Sequence, residues 1–139
     1  MEMTRSRMTR QQQQQRTAPL ERQEQIWLVQ WLNLHPVLKD HFYKTNNEAK
    51  RSLQSGSYLK LMGLRPGVSD IHICYPTKSH PGLFLEVKRN KKYTPSEMNT
   101  PTWKAQEKFI EDQKKLGYQG HFCYGWLDGK KIIDDYLLT

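Results

Sequence analysis

The sequence predicts an α/β domain in which a small mixed β-sheet is flanked by helices. Residues 70–73 and 83–88 place an apolar side chain at every second position, as half-buried β-strands do. The stretch 76–81 begins and ends with proline, so these strands are expected to pair as an antiparallel hairpin. A further strand-like run follows a helix-like run, and that kind of connection predicts a parallel neighbour. One antiparallel and one parallel pairing make the predicted sheet mixed.

The first predicted helix begins at Thr17 or Ala18 and runs to about Leu34. Some of its apolar residues recur at helical spacing and are expected to face the core: Leu20, Trp27, Trp31 and Leu34. Residues 41–44 then read as a short strand. Before the helix, four arginines and a run of five glutamines accompany almost nothing apolar. Residues 1–16 are therefore predicted to be a disordered tail, and 17–139 the folded domain.

The rest of the chain divides into elements at its glycines, prolines and capping residues. The expected elements are a helix over 48–62, a helix over 100–116, a strand over 118–126 and a helix over 130–138. Gly63 and Gly117 are suited to end the first two helices. The Asp-Gly pair at 128–129 predicts a turn before the last helix. In the helix over 100–116 the buried side chains are expected to be Trp103, Phe109, Ile110 and Leu116.

Composition limits the class of protein and of partner. A chain of 139 residues with 36% apolar content suits one domain with a small hydrophobic core. The net charge of +8 favours a polyanionic partner. Cys74 and Cys123 lack the C-x-x-C spacing of metal or redox sites, so they are expected to be reduced core residues of a cytosolic protein. No apolar run approaches the length of a membrane helix, and the first residues lack the apolar stretch that is typical of a signal peptide.

The predicted hairpin brings two carboxylates together. If Ile71 lies opposite Leu85, then Asp70 lies opposite Glu86 on the same face of the sheet. Two such charges about 5 Å apart repel by about 3 kcal/mol at an effective dielectric of about 20. A divalent cation turns that repulsion into ligation, and hard oxygen ligands suit Mg²⁺. Lys88 shares the face and could hold a phosphate oxygen or a water.

These residues form a larger pattern that resembles a known superfamily. Pro-Gly-x-x-Asp at 66–70 is followed, after fifteen residues, by Glu-Val-Lys at 86–88. Residues 47–52 read Asn-Glu-Ala-Lys-Arg-Ser, and Gln106 lies on the apolar face of a predicted helix. Together these features resemble the PD-(D/E)XK nucleases, and most closely their VRR-NUC branch, in which glycine usually stands where this chain has Ala49. The resemblance implies the small mixed sheet flanked by helices of the restriction-endonuclease-like fold.

The resemblance also implies roles for individual residues. Asp70, Glu86 and the Val87 carbonyl would bind Mg²⁺ or Mn²⁺, and Glu48 would complete the metal site. Lys88 and Gln106 would orient or activate the attacking water. The residues expected to contact DNA phosphates are Lys50, Arg51, Arg89, Lys91 and Lys92. Other readings stay open, because the helix dipole favours a first-turn glutamate and basic residues are often merely solvated. His72, a lone strand histidine, is expected to be a hydrogen-bonded structural residue.

The activity implied by the resemblance is Mg²⁺-dependent hydrolysis of phosphodiester bonds in DNA by an endonuclease. Small stand-alone relatives, bacterial or phage-encoded, resemble Holliday-junction resolvases of DNA repair and recombination. Those relatives act as symmetric dimers, which suits the cutting of two strands of a four-way junction, so the resemblance implies a homodimer. A cytoplasmic location is also expected. The alternatives are a flap or branch endonuclease, a nickase, and a catalytically inactive DNA-binding module. RNA remains open as a substrate because the chemistry would be the same.

Overall fold

A four-stranded sheet forms the centre of the protein, in a computed structural model that describes Thr9, residues 18–45 and residues 53–139. The strands are β1 Phe42–Lys44, β2 Ile71–Ile73, β3 Leu83–Lys88 and β4 Gln119–Tyr124. Their spatial order is β1-β2-β3-β4. The β1–β2 and β2–β3 pairs are antiparallel, whereas β3 and β4 are parallel. The predicted mixed sheet is thereby confirmed.

Helices lie on both faces of this sheet. They are α1 Glu21–Leu34, α2 Leu53–Leu61, α3 Pro101–Lys115 and α4 Trp126–Leu137, with a 3-10 turn at Glu97–Asn99. One face packs on α1 and α4 and forms the main core, from Leu28, Leu32, Leu38, Ile71, Ile73, Leu83, Leu85, Val87, Cys123, Ile133 and Tyr136. The other face carries Phe84, whose ring meets Phe109 of α3 edge-on at 5.2 Å. The charged residues of β3 therefore lie under α3.

The register of the β2–β3 hairpin is the one that the sequence predicts. Ile71 pairs with Leu85, and Ile73 pairs with Leu83. All four side chains are fully buried, because they point to the face covered by α1 and α4. A slip of one residue would exchange the two faces of the strand. This register leaves Asp70 just before β2, beside Glu86 of β3.

The first helix differs from its prediction in both its start and its buried face. Helix α1 begins at Glu21, and Leu20 and Leu34 are 58% and 85% exposed. The residues buried within it are Glu24, Leu28 and Leu32, which recur every fourth position, while Trp31 packs at the edge of the core and Trp27 is exposed. The prediction assigned large apolar side chains to the buried face of the helix. The buried face instead includes Glu24, whose carboxylate has a specific hydrogen-bond partner.

The partner of Glu24 is the start of the last helix. The sequence predicts that this helix begins later in the chain than it does. Helix α4 begins at Trp126, so the Asp-Gly pair predicted to form a turn lies inside it. The Trp126 backbone N–H donates to Oε2 of Glu24, and Tyr124 N donates to Oδ2 of Asp128 at 2.9 Å. Gly125 has a φ of 92°, which permits the abrupt change from strand to helix. A carboxylate from a distant helix thus caps α4, and a local turn signal cannot reveal that contact.

The third helix follows its prediction closely. Helix α3 starts at Pro101, and the side chain of Thr100 accepts the Trp103 N–H at 3.2 Å. Trp103 and Ile110 are buried as expected, but Leu116 follows the last turn and is 70% exposed. Helix α2 lies within its predicted range, and the earlier part of that range, 48–52, lies outside the described residues. So does the predicted tail over 1–16, apart from Thr9. In the part of the chain that the structure describes, no helix is long and apolar enough to cross a membrane.

Replacing Glu24 by alanine is expected to destabilise the protein by about 1–3 kcal/mol, because a buried acceptor is lost and the Trp126 N–H is left unpaired. Urea unfolding followed by circular dichroism measures this loss. Glu24→Gln keeps an acceptor oxygen and is the matched control, expected to retain more of the stability. Equal stability of the wild type and Glu24→Ala would contradict the capping role.

Candidate active site

Three carboxylates meet at one end of the sheet. Asp70 comes just before β2, Glu86 lies in β3, and Glu21 is the first residue of α1. Each offers an oxygen, and these three oxygens all lie within 4.8 Å of one another. The hairpin register brings together the two carboxylates that the sequence predicts. Glu21 is a third member that the sequence analysis missed.

Asp70 is held in place by the strand beside it. Its Oδ2 accepts the backbone N–H of Val87 at 2.8 Å. The loop before it passes close to α3 at Gly67, where a side chain would collide with the carbonyl group of Ala105. Gly67 also has a φ of 80°, which L-residues with a side chain rarely adopt. The glycine of the Pro-Gly-x-x-Asp pattern is therefore required to bring Asp70 into position.

Glu86 is a buried carboxylate with one oxygen satisfied and one not. Only 1% of the residue is exposed. Its Oε1 accepts Nε2 of Gln106 at 2.8 Å, and Oε2 has no hydrogen-bond partner among the described residues. Buried charged oxygens normally have partners, because leaving one unpaired costs about 1–3 kcal/mol or more. A buried carboxylate with one unsatisfied oxygen, in a cluster with two other carboxylates, is suited to bind a cation.

Gln106 links Glu86 to the neighbouring lysine. While its amide nitrogen donates to Glu86, its Oε1 accepts Nζ of Lys88 at 2.7 Å. The Lys88 ammonium also lies 3.9 Å from Oε1 of Glu86. The structure thus brings Gln106 of α3 to both Glu86 and Lys88 of β3, and the catalytic role of this glutamine stays a prediction.

Aromatic rings enclose the ammonium of Lys88. Its Nζ lies 4.5 Å from the ring centre of Trp103 and 5.5 Å from that of Phe122. The residue is only 6% exposed. Ring faces attract a cation, most strongly when water is excluded. Lys88 is therefore a confined positive charge beside the carboxylate cluster.

Burial raises the pKa of all three carboxyls, and the charge of Asp70 adds to the shift at Glu86 and at Glu21. Burial, followed by the charge of Asp70, raises the pKa of Glu86 to about 9. Burial also raises the pKa of Asp70 and of Glu21, and Lys88 partly opposes each shift. Glu86 consequently holds a proton near neutral pH, and a divalent cation would displace it. Three carboxylates with an unpaired buried oxygen form a donor set that fits Mg²⁺ or Mn²⁺.

The basic residues predicted to contact DNA have different surroundings. The guanidinium of Arg89 donates to the carbonyl oxygens of Ala18 and Pro19. Nζ of Lys91 lies 2.6 Å from Oε2 of Glu97, whereas Lys92 is exposed. Their contacts with DNA remain predictions. The other predicted residues, Glu48, Lys50 and Arg51, lie outside the described part of the chain.

His72 has a structural environment, as the sequence predicts. Its Nδ1 forms a 2.7 Å hydrogen bond with the hydroxyl of Tyr43, and its ring stacks on Phe84 at 4.3 Å. Burial lowers the pKa of His72, which favours the neutral ring. Among the described residues, the group that could hold a metal comprises Glu21, Asp70 and Glu86, without this histidine.

Glu21 escaped the sequence analysis for a physical reason. Its place at the start of a helix is a weak signal, because the helix dipole favours an acidic first turn in any protein. Nothing in its spacing connects it to Asp70, which lies far along the chain. Only the packing of α1 against the sheet brings the two carboxylates together.

The comparisons with known proteins bear on the fold. No protein-family model matches the chain, and no curated protein matches it. A solved structure described as "VRR_NUC domain protein" superposes with a TM-score of 0.71 at 22% sequence identity, covering 86% of this chain and 89% of that chain. The chain therefore shares the fold of that structure, an α/β fold with a mixed four-stranded sheet flanked by helices, as predicted.

The raised pKa of Glu86 predicts a stability that depends on pH. Folded protein holds this proton up to about pH 9, whereas the unfolded chain releases it near pH 4.5. The folded state therefore carries the extra proton, and its stability is expected to fall as pH rises from about 5 to 9. Melting temperatures in EDTA measure this fall, which Glu86→Gln should reduce.

The control for that prediction is Glu111→Gln, which removes an exposed carboxylate of α3 and should leave the pH dependence unchanged. Added Mg²⁺ should oppose the fall in the wild type, since it binds the ionised cluster. A melting temperature that rises over the same pH range, or an unaltered slope in Glu86→Gln, would contradict the assignment.

Proposed function

We propose that this protein is a VRR-NUC nuclease that hydrolyses phosphodiester bonds in DNA with a divalent metal, Mg²⁺ or Mn²⁺. One observation carries the proposal: the buried Glu86, which has one oxygen without a hydrogen-bond partner, clusters with Asp70 and Glu21 while Gln106 joins it to Lys88. Carboxylates with a neighbouring lysine serve phosphodiester hydrolysis, which needs cationic stabilisation and a positioned water. The shared fold supports the same conclusion.

The residues divide into those that hold the metal and those that act on water and phosphate. Asp70, Glu86 and Glu21 would hold the cation, and the Val87 carbonyl and Glu48 are proposed to add to them. A cation there supplies positive charge for the phosphate and acidifies water. Val87 N fixes Asp70 through a 2.8 Å hydrogen bond, so this carboxylate keeps one orientation during the reaction.

Lys88 is proposed to steady the attacking water or a phosphate oxygen. Its Nζ lies against the ring of Trp103 and donates a hydrogen bond to Gln106. The ammonium therefore needs little reorganisation when the substrate binds. Gln106 fixes the distance between this ammonium and Glu86, so both groups are held in place when the water is oriented. The enclosing rings exclude solvent, so the electrostatic attraction between Lys88 and an anionic group is stronger than it would be in water.

A cavity beside the carboxylates supports a preference for DNA that is not a plain duplex. Its volume is about 580 Å³, in the range of sites that bind small organic molecules. The lining residues include the acidic Asp70 and Glu21, the apolar Ile26 and Val29, and Lys44. Such a lining suits a sugar or an unstacked base better than a phosphate, which the carboxylates repel unless a cation is bound. Bases can leave the stack readily where DNA is branched or unpaired.

We therefore propose a structure-selective endonuclease, resembling a Holliday-junction resolvase, with a role in DNA repair or recombination. Paired cuts in a four-way junction need two copies of the site, so a homodimer is part of the proposal. The net charge of +8 suits a DNA partner. Its expected location is the bacterial cytoplasm, with a bacterial or phage gene as its source.

A flap or branch endonuclease, or a nickase, would use the same cavity and the same chemistry, and differs only in the DNA that is cut. An inactive DNA-binding module would have no use for a buried carboxylate with an unpaired oxygen. That residue favours an active enzyme over the inactive module.

Asp70→Asn is expected to reduce the Mg²⁺-dependent cleavage of a four-way junction by about 10²–10³-fold, because it removes a metal-binding charge and keeps the shape of the side chain. Labelled junction and linear duplex of the same arm sequence are compared in denaturing gels. The proposal expects symmetric nicks in the junction and little cutting of the duplex.

Asp112→Asn, a substitution of an exposed carboxylate on α3, is the control and should cut like the wild type. Equal cleavage of junction and duplex would remove the structure selectivity and leave the nuclease. Undiminished cleavage by Asp70→Asn would contradict the assigned site, and absence of cleavage by the wild type with either metal would favour the binding module.

A further inference from the structure

We infer that Arg89 is a positioning residue, which fixes the start of α1 and so brings Glu21 into the carboxylate cluster. The inference rests on the proposed function and concerns the same site. It assigns Arg89 a role inside the protein, in place of the predicted contact with DNA phosphates.

The contacts of the Arg89 guanidinium support this role. Its Nε donates to the carbonyl oxygen of Pro19 at 3.0 Å, and its Nη2 donates to that of Ala18 at 2.7 Å. Two donors of one rigid plane therefore hold two consecutive carbonyl groups, a pattern that suits arginine better than lysine. These carbonyl groups belong to the segment that leads directly into α1.

The start of α1 depends on this contact because its capping position offers little else. Leu20 occupies that position and forms no side-chain capping hydrogen bond. The backbone carbonyls of Ala18 and Pro19 precede the helix and belong to half-buried residues, so they need a hydrogen-bond donor. Arg89 supplies that donor from the end of β3.

Glu21 is the residue most sensitive to where α1 starts. It is the first helical residue, so a shift or fraying of the first turn moves its carboxylate directly. Arg89 and Glu86 belong to the same stretch of chain, and Val87 and Lys88 stand between them. The guanidinium therefore ties Glu21 to the strand that carries its partner in the cluster.

The backbone of Arg89 is itself anchored. Its N–H donates to the hydroxyl of Tyr93 at 3.0 Å, and Tyr93 packs against Trp103 with ring centres 5.0 Å apart. The aromatic group that encloses Lys88 thus also supports the residue that positions Glu21.

The experiment measures Mn²⁺ affinity by titration calorimetry of the full-length protein without DNA. Arg89→Lys keeps the positive charge but loses the two-pronged donor, and it is the variant expected to fold like the wild type. We expect Glu21→Gln to weaken Mn²⁺ binding by about tenfold or more, and Arg89→Lys to weaken it by several-fold to tenfold. Because Arg89 acts through Glu21, the double variant should bind Mn²⁺ little more weakly than Glu21→Gln alone.

A second measurement follows the start of α1 directly, independently of any metal. Gln23 N and Glu24 N donate to the carbonyl of Leu20, at 2.9 and 3.1 Å, in the first turn of the helix. Amide hydrogen exchange at these two sites should speed up in Arg89→Lys, while amides in β3 stay protected. Lys131→Met, on the exposed side of α4, is the control and should change neither measurement.

Each result supports or overturns a distinct statement. If the wild type binds Mn²⁺ and Arg89→Lys changes neither the affinity nor the exchange at the start of α1, the inference is wrong. A loss of DNA affinity alone in that variant would assign Arg89 to phosphate contact instead. If the wild type binds no Mn²⁺, the proposed function fails, whereas faster exchange in Arg89→Lys would still establish that Arg89 fixes the helix start.

Discussion

The buried carboxylate of Glu86 beside Asp70 is the interaction on which the rest of the structure depends. Two acidic groups so close repel, and burial adds to the unfavourable energy, as the raised pKa of Glu86 shows. A sequence selected for stability alone would not retain this pair. The fold surrounds it with Gln106, Lys88 and a backbone N–H, which limit that cost and leave one oxygen for a cation.

The fold serves the site through three separate packing arrangements. The hairpin register places Asp70 next to β3, and α3 delivers Gln106 and the ring of Trp103 to the same face. Helix α1, which packs mainly on the opposite face, reaches the cluster through its first residue, Glu21. The site therefore combines side chains from both layers of helices, and its geometry depends on how each layer is attached to β3.

Much of this organisation follows from local patterns in the sequence. Alternation in two strands and the turn residues between them predict the hairpin and hence the pairing of Asp70 with Glu86. The polar Gln106 on an apolar helix face predicts a buried partner, which is Glu86. Contacts between distant segments could not be predicted in this way. Glu24 caps α4 from another helix, and Glu21 reaches the cluster only through tertiary packing, so local signals gave the wrong start for α4 and missed Glu21 altogether.

Anomalous diffraction from crystals of the protein soaked in Mn²⁺ tests the central claim most directly, because it locates the ion without reference to activity. The account predicts an anomalous peak among Asp70, Glu86 and Glu21, with carboxylate oxygens at about 2.1–2.2 Å from the ion. An ion bound elsewhere, with the three carboxylates still close together and unliganded at saturating Mn²⁺, would contradict it.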